Sequence, residues 1–426
     1  MNVHQFIKLA LKKGITNIQI TKEKTKQKQI YYINDKLNDY TDLNKTIYII
    51  KAEINKKTEE LTSEYLDETI IDLIIEKIEL VDAKYEYDFL EKKELKGVKK
   101  DKNISVTKEM SIIKKLNELK KNYKQIKSVE FVFEDLYNET TIINNKGLNL
   151  NNELHTYQFY VEALAEKNGE YSSYNQSKLV TKRNEIDFEK ITKEVFEKVS
   201  IQVEKVKLET KKYNIIIDSS VTASIIASLK NMLSANSIRK KTSCLAEKIN
   251  NKVFSEKLTI VEEPLNEKYP GHTLFDKEGT ETYNKIIIDK GIIKDYLYDI
   301  KEAKLVNRKS TGNNYGLINT RNMYIKPTNT SVEKLLEMMQ DGIYITDKMG
   351  ASGTSMNETT GSISIQIFGF LIKNGKIVSG FEPAIMTTTI FEILSNIENI
   401  GNDLTFNRKD IGCPSIYVSN IYIASE

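Results

Sequence analysis

The sequence is poor in the residues that most often carry metal or thiol chemistry. Its 426 residues include two cysteines, Cys244 and Cys413, and three histidines, His4, His155 and His272. Two isolated cysteines cannot form a disulfide framework or a cysteine-rich metal site, which agrees with a reducing compartment. A metallopeptidase helix needs two histidines about one turn apart and a glutamate to take a proton from metal-bound water. No two histidines lie close together here, so a zinc site would require distant parts of the chain.

Proline and long apolar runs are also scarce. All five prolines follow residue 263, which indicates that the two halves of the chain are built differently. No apolar run approaches the roughly 18 to 20 residues that span a bilayer. The chain begins with a short amphipathic stretch rather than a signal sequence. We therefore expect a cytoplasmic protein.

The charges nearly cancel, with 63 basic and 60 acidic residues. The whole-chain field therefore gives no argument for a nucleic acid or a membrane as a partner. Lysines do cluster between residues 92 and 127. Because Tyr123 is the only aromatic residue close enough to interleave with them for base stacking, we interpret this segment as a solvated helix face and linker.

The hydrophobic periodicity predicts an α+β fold in two parts. Residues 1–205 read as an N-terminal α+β domain, with separate strands at 15–21 and 29–34. Residues 206–426 read as a mostly antiparallel, β-rich C-terminal domain with a few helices. The chain is long enough to require two cores or one large composite core.

Three helix starts can be predicted from capping residues. Asp187 precedes a helix with an apolar stripe, and Ser219 or Ser220 can cap the helix that carries Ile225. Thr330 and Glu333 have the spacing of a capping box.

Two short polar motifs, at residues 276–280 and 309–314, bracket a hairpin and a helix. Packing alone does not require this arrangement, and the candidate peptide-binding or interface residues come from here: Asp276, Glu278, Gly279, Thr280, Ser310, Thr311, Gly312 and Asn313. Asp276 and Glu278 can be read as paired carboxylates for acid and base work, or as a hydrogen-bonded turn beside Gly279. Ser310 can be read as a nucleophile or as part of a turn, but nothing in the sequence supplies its base. We assign no catalytic residue in this chain.

Motifs across the second half resemble the TldD/PmbA family, and within it the PmbA (TldE) branch. They occur in the family's order and comprise Thr242-Ser243, Val253 through Leu258-Thr-Ile-Val-Glu-Glu-Pro264, Phe275-Asp-Lys-Glu-Gly-Thr280, Gly291-Ile-Ile-Lys-Asp-Tyr-Leu297, Ser310-Thr-Gly-Asn313, Gly342-Ile-Tyr-Ile345, Gly361 with Phe370-Leu-Ile-Lys-Asn-Gly375, Gly401-Asn-Asp-Leu404 and Pro414-Ser415. Each motif alone is weak, and the ordered set is specific. The first half fits the family by length and pattern only.

The resemblance implies that a TldD-type partner is a zinc peptidase with a His-Glu-x-x-x-His helix and a late cysteine ligand. Counted back from Thr242-Ser243, those helix positions hold Ile226, Ala227 and Asn231 here. Cys413 precedes the Pro-Ser of the PmbA branch and is not equated with the zinc cysteine. The resemblance therefore implies a non-catalytic subunit that binds no zinc itself, pairs with a zinc-bearing TldD-like subunit and acts on unfolded or linear peptides. A peptide-binding or regulatory homodimer without peptidase activity is the alternative.

Overall fold

The computed structural model describes residues 1–82, 87–349 and 356–425. The predicted α+β class is confirmed. The helices are α1 (Val3–Lys12), α2 (Glu68–Glu79), α3 (Thr107–Glu118), α4 (Phe188–Gln202), α5 (Ser219–Met232), α6 (Ala235–Arg239), α7 (Ile300–Leu305), α8 (Val332–Met339) and α9 (Ile390–Ser395). In the described part of the chain, no helix combines the length and apolar character needed to cross a membrane.

A seven-stranded sheet organises the first half, and its central strands are antiparallel. Its strands are β1 (Asn17–Ile33), β2 (Lys36–Ile54), β3 (Lys57–Ser63), β4 (Lys93–Lys96), β5 (Ile126–Asn144), β6 (Leu148–Lys167) and β7 (Glu170–Val180). Their order is β3-β2-β1-β5-β6-β4, and β7 also pairs with β6. The turn between β6 and β7 contains Asn168 and Gly169, both with positive φ, as a tight hairpin requires.

The separate strands predicted at 15–21 and 29–34 are wrong, because β1 runs unbroken through the polar stretch between them. That stretch lies between β2 and β5, which satisfy its backbone groups on both sides. Its charged side chains find cross-strand partners, for example Lys28 Nζ with Asp42 at 3.1 Å. Strand pairing therefore overrides the weak intrinsic β-propensity of these residues.

Two sheets with mostly shorter strands form the second half. The six-stranded sheet has the order β12-β11-β10-β13-β20-β19, with β10 (Ile260–Glu262), β11 (Lys285–Asp289), β12 (Ile292–Ile293), β13 (Met323–Ile325), β19 (Thr405–Phe406) and β20 (Ile411–Cys413). The eight-stranded sheet contains β8 (Lys205–Val206), β9 (Lys211–Ile217), β14 (Gly342–Met349), β15 (Ser362–Lys373), β16 (Lys376–Phe381), β17 (Ala384–Thr389), β18 (Ile397–Ile400) and β21 (Ile416–Ser425). Because β14 pairs with both β9 and β15, the strands β14-β9-β21-β17-β15 close into a ring.

Apolar clusters join the two halves. One cluster combines Phe131 and Phe159 of the first sheet with Tyr344 and Phe370 of the second half. Ion pairs from the lysine-rich segment add to this contact, with Lys93 on Glu281 at 2.6 Å and Lys100 on Glu267 at 2.9 Å. The halves are therefore packed together, and the domain boundary near residue 205 stays a prediction.

The caps show how far local sequence determines the helix starts. Asp187 caps α4 as predicted, accepting a hydrogen bond from the Lys190 N–H at 3.0 Å. Asp218, rather than Ser219 or Ser220, caps α5. Ser331 caps α8 in place of the predicted Thr330, since its hydroxyl accepts the N–H of Lys334 at 3.2 Å.

Candidate functional site

The carboxylate of Asp276 organises the 276–280 turn. Its Oδ1 accepts the N–H groups of Glu278 at 2.9 Å and Thr280 at 3.0 Å, and its Oδ2 accepts the N–H of Asn314 at 3.0 Å. Burial, followed by the charge of Glu278, raises the pKa of Asp276 to about 8, although the three N–H donors favour its ionised form. One buried carboxylate thus ties the two polar motifs together.

Glu278 serves a different element. Its Oε2 accepts the N–H of Ile300 at 2.9 Å, at the start of α7. Burial raises the pKa of Glu278 to about 7. The carboxylates of Asp276 and Glu278 are therefore both bonded to backbone N–H groups of the chain itself, as the hydrogen-bonded-turn interpretation expects.

The same turn packs against the first sheet. Gly279 has φ +87°, and a Cβ added there would lie 3.1 Å from Leu148, 3.3 Å from Leu150 and 3.5 Å from Leu90. Phe275 is buried in the cluster that contains Leu148 and Leu150. The turn is thus an internal contact between the two halves.

The hydroxyl groups of Ser310 and Thr311 both contact the carbonyl oxygen of Tyr298, at 3.1 Å each. Ser310 Oγ also accepts the N–H of Gly312 at 3.2 Å. Gly312 has φ +70°, and a Cβ there would lie 2.6 Å from the carbonyl oxygen of Glu281. In this arrangement Ser310 donates to a backbone carbonyl rather than to a general base, which favours the turn over the nucleophile.

A buried ion pair lies behind the second motif. Lys285 Nζ donates to Glu262 at 2.8 Å, to the Thr311 carbonyl at 2.9 Å and to Asn313 Oδ1 at 3.0 Å. Asn313 Nδ2 in turn donates to both carboxylate oxygens of Glu262, at 2.9 and 3.0 Å. The side chain of Glu262 is fully buried and that of Lys285 is 10% exposed. The motif is therefore built around this charged pair, and its part in ligand or partner contact stays a prediction.

The three degenerate metal positions lie together on α5. Ile226 is fully buried in the main core of the second half, and Ala227 packs against the same core. Asn231 is exposed, and its Nδ2 donates to Glu358 Oε1 at 2.7 Å. An isoleucine, an alanine and an already bonded asparagine do not fit a zinc ion, which needs imidazole, thiolate or carboxylate ligands.

The cysteines do not supply a ligand set. Cys413 lies on β20, which packs against α5, and burial raises the pKa of its thiol well above the usual value. Burial likewise raises the pKa of Cys244. Metals bind the thiolate form, which both shifts disfavour. Within residues 1–82, 87–349 and 356–425, no three histidine, cysteine or acidic side chains are grouped so that they could hold a metal ion.

Sequence reasoning missed a second buried ion cluster beside these positions. Lys230 of α5 contacts Asp410, and the guanidinium of Arg408 also donates to Asp410, with both bonds at 3.0 Å. Although burial alone would raise it, the pKa of Asp410 is lowered, because Lys230 and then Arg408 favour its charged form. The sequence signal for this cluster was Lys230, which directly follows Leu229 in a helix with a buried apolar stripe. A buried charge requires a partner, so this lysine predicts a carboxylate nearby.

Comparisons with known proteins agree with this architecture. The family model described as "PmbA/TldA metallopeptidase C-terminal domain" matches residues 210–425, and "PmbA/TldA metallopeptidase central domain" matches residues 93–203. A metalloprotease PmbA homolog of Buchnera aphidicola subsp. Baizongia pistaciae is 30% identical over 236 residues, covering 55% of this chain and 51% of the relative. Metalloprotease PmbA of Escherichia coli O157:H7 is 29% identical over 220 residues, covering 52% and 47%. The matched region thus spans about half the length of these curated relatives.

Solved structures match over nearly the whole chain. A putative modulator of DNA gyrase from Thermotoga maritima has a TM-score of 0.89 at 24% identity and covers 99% of both chains. TldE from Thermococcus kodakarensis has a TM-score of 0.86 at 19% identity, again with 99% coverage of both chains. At these identities the structural likeness establishes the fold. The C-terminal family model alone matches more than half of the sequence, and the chain therefore belongs to the TldD/PmbA family, the PmbA/TldA metallopeptidases.

Proposed function

We propose that this chain is the non-catalytic, PmbA/TldE-like subunit of a cytosolic metallopeptidase complex that acts on unfolded or linear peptides. A TldD-like partner supplies the zinc and the catalytic glutamate. The observation that carries the proposal is Ile226, which is fully buried in an apolar core at a position where the catalytic branch is expected to place a zinc ligand. Zinc in the partner activates the water that attacks the peptide bond.

The role of this chain is then to complete a chamber and hold an extended peptide. Buried carboxylates hold the 276–280 and 309–314 loops by hydrogen bonds from within. Such loops can present their outer backbone and exposed residues to a partner subunit or to a peptide; the exposed Lys277 also pairs with Glu23 of β1 at 3.5 Å. We therefore keep them as candidates for the chamber lining or the subunit contact.

The outer edge of β2 is the candidate surface for adding a peptide strand. Strand β3 pairs with residues 48–54 of β2 only. In the described part of the chain, residues 36–47 have β1 on one side and no strand on the other. An open strand edge of this length offers main-chain donors and acceptors to an extended peptide whatever its sequence.

Metal analysis and peptidase assays on the chain alone and with a TldD-like partner from the same organism test this proposal. We expect no stoichiometric zinc and no cleavage from the chain alone, and both zinc and cleavage of an unstructured peptide from the co-purified pair. Stoichiometric zinc together with cleavage by the chain alone would overturn it. Self-association with peptide binding, but without any TldD-like chain in the complex, would favour the homodimer alternative.

A further inference from the structure

A second group of basic side chains lies next to the Lys230–Asp410 pair, at the rim of the six-stranded sheet. Strands β13 and β20 run parallel, and their first residues, Met323 and Ile411, are paired. Arg321 and Lys409 each lie two residues before those strand starts, so they occupy equivalent positions. The Asn322 N–H donates to the Lys409 carbonyl at 3.1 Å, which fixes the two segments side by side.

Within the described part of the chain, neither cation has a carboxylate at ion-pair distance. Arg321 donates to the carbonyl of Thr320 at 3.0 Å and stacks over the ring of Tyr315, 3.8 Å from its centroid. Lys409 is half-buried, and its ammonium group makes no hydrogen bond or ion pair with a described residue. The nearby carboxylate of Asp410 is already shared by Lys230 and Arg408.

The local charge balance is therefore positive. Burial and then Arg321 lower the pKa of Lys409 to about 8, and Glu134 of β5 opposes that shift. Burial raises the pKa of Glu134, while Gln27 Nε2, which donates to it at 2.5 Å, and the charge of Lys409 favour its ionised form; this one carboxylate does not offset both Arg321 and Lys409. An oxyanion between Arg321 and Lys409 would restore the balance, and a guanidinium held flat by an aromatic ring is well suited to bind a carboxylate with two N–H groups.

The face of the first sheet that carries Glu134 becomes acidic further along. Glu130 and Glu162 lie directly opposite each other on β5 and β6. Tyr31 and Tyr160 donate their hydroxyl hydrogens to these carboxylates, at 2.8 and 2.5 Å. An extended ligand on this face would therefore meet negative charge at one end and positive charge at the other, so its own anionic end belongs beside Arg321 and Lys409.

We infer that Arg321 and Lys409 form a binding site for the C-terminal carboxylate of a linear peptide lying across the polar face of the first sheet. This inference rests on the proposed function, since that function supplies the peptide, and it places the C-terminal part of the peptide on this face of the sheet rather than on the outer edge of β2. The α-carboxylate is the one negative group that every unmodified linear peptide carries at a fixed place. The site thus orients the peptide without reading its sequence.

The test compares two probes that differ at one group. An unstructured twelve-residue peptide labelled with fluorescein at its N-terminus is prepared as the free acid and as the C-terminal amide, and both are titrated with the full chain by fluorescence anisotropy. We expect the free acid to bind at least about tenfold more tightly, as loss of a charge-assisted pair implies. Arg321→Gln and Lys409→Gln should each reduce this ratio, and the double variant should bring it close to one.

Two control variants keep the result specific. Lys409→Arg preserves the charge and should preserve the preference for the free acid. Lys294→Gln removes an exposed lysine of the same half and should leave the ratio unchanged. Equal binding of acid and amide to the wild-type chain, or an undiminished ratio in the double variant, overturns this inference alone. If neither peptide binds, with or without a TldD-like partner, the proposed function is overturned and this inference with it.

Discussion

Replacing Lys285 by methionine tests whether the second polar motif depends on its buried ion pair. Methionine keeps most of the length of the side chain and removes the charge and all three donors. The fully buried Glu262 would then keep the hydrogen bonds that it accepts from Asn313 and from the Arg321 N–H, the latter at 2.8 Å. It would lose the ammonium of Lys285, which is its only cationic contact within 4 Å among the described residues.

The cost follows from the burial of the pair. Breaking a buried ion pair by removing one partner typically destabilises a protein by about 3 to 5 kcal/mol, because the remaining charge stays buried without compensation. The carbonyl of Thr311 and Oδ1 of Asn313 lose a donor as well. We expect Lys285→Met to lower the free energy of unfolding by roughly 4 kcal/mol.

Urea unfolding followed by circular dichroism measures this change from the shift in midpoint. The matched control is Lys93→Met, whose partner Glu281 lies 2.6 Å away but whose pair is 44% and 47% exposed. Exposed pairs contribute about 0 to 1 kcal/mol, so this variant should unfold almost like the wild type. Adding Glu262→Gln to Lys285→Met should restore roughly half of the loss, because it removes the stranded charge.

Two results would refute the reasoning. One is a loss below about 1 kcal/mol for Lys285→Met, which would mean that Glu262 does not need its cation. The other is a double variant no more stable than the single one, which would mean that the stranded charge is not the source of the cost.

Further predictions concern neighbouring groups of the same region. Burial raises the pKa of Glu278 from 4.5 to about 7, so its contribution to stability is full below pH 4.5 and is lost as the pH rises to about 7. Glu278→Gln stays neutral and should therefore gain on the order of 3 kcal/mol relative to the wild type across that window in pH-dependent urea unfolding; a constant difference would contradict the shift. Gly312→Ala places a Cβ 2.6 Å from a carbonyl oxygen at φ +70°, and we expect the free energy of unfolding to fall by about 2 kcal/mol or more. The control Gly316→Ala has open space at its Cβ and should lower that free energy by less. Ser310→Ala should leave peptide cleavage by the assembled complex within about twofold of the wild type, and abolition of a chelator-resistant activity would instead support a serine nucleophile. Because the pKa of Lys409 is about 8, the preference for a free peptide carboxylate should fall as the pH rises through 8, and a ratio unchanged between pH 7 and pH 9 would contradict a role for its charge.

Local sequence was informative where a structural element depends on near neighbours. The Asp187 cap and the Asn168–Gly169 turn follow from side chains within a few residues. The polar middle of β1 could not be predicted in this way, because its strand conformation depends on β5, more than one hundred residues later in the chain, as well as on β2. The Ser331 cap shows the intermediate case, in which two adjacent residues compete and geometry selects one.

The polar motifs show the same limit for the candidate site. Their residues were visible in the sequence, but their partners were not, since Glu262 meets Asn313 across 51 positions and Lys230 meets Asp410 across 180. The sequence therefore identifies residues 276–280 and 309–314 as unusual polar motifs, but it does not predict that buried carboxylates hold them from within.

The apolar residues Ile226 and Ala227 of α5 and the Lys230–Asp410 pair have a common structural consequence. A zinc ion bound by a helix and a neighbouring segment stabilises the contact between them as well as carrying chemistry. In this chain Ile226 joins the same apolar core as Ile411 and Cys413 of β20, and one turn later Lys230 binds the residue just before that strand. The contact between helix and strand is thus made by packing and an ion pair between described residues. This end of the helix carries the charge of Lys230, and further basic groups follow at Arg408, Arg321 and Lys409. On the function proposed above, these are the groups that would position a peptide cleaved by the partner subunit.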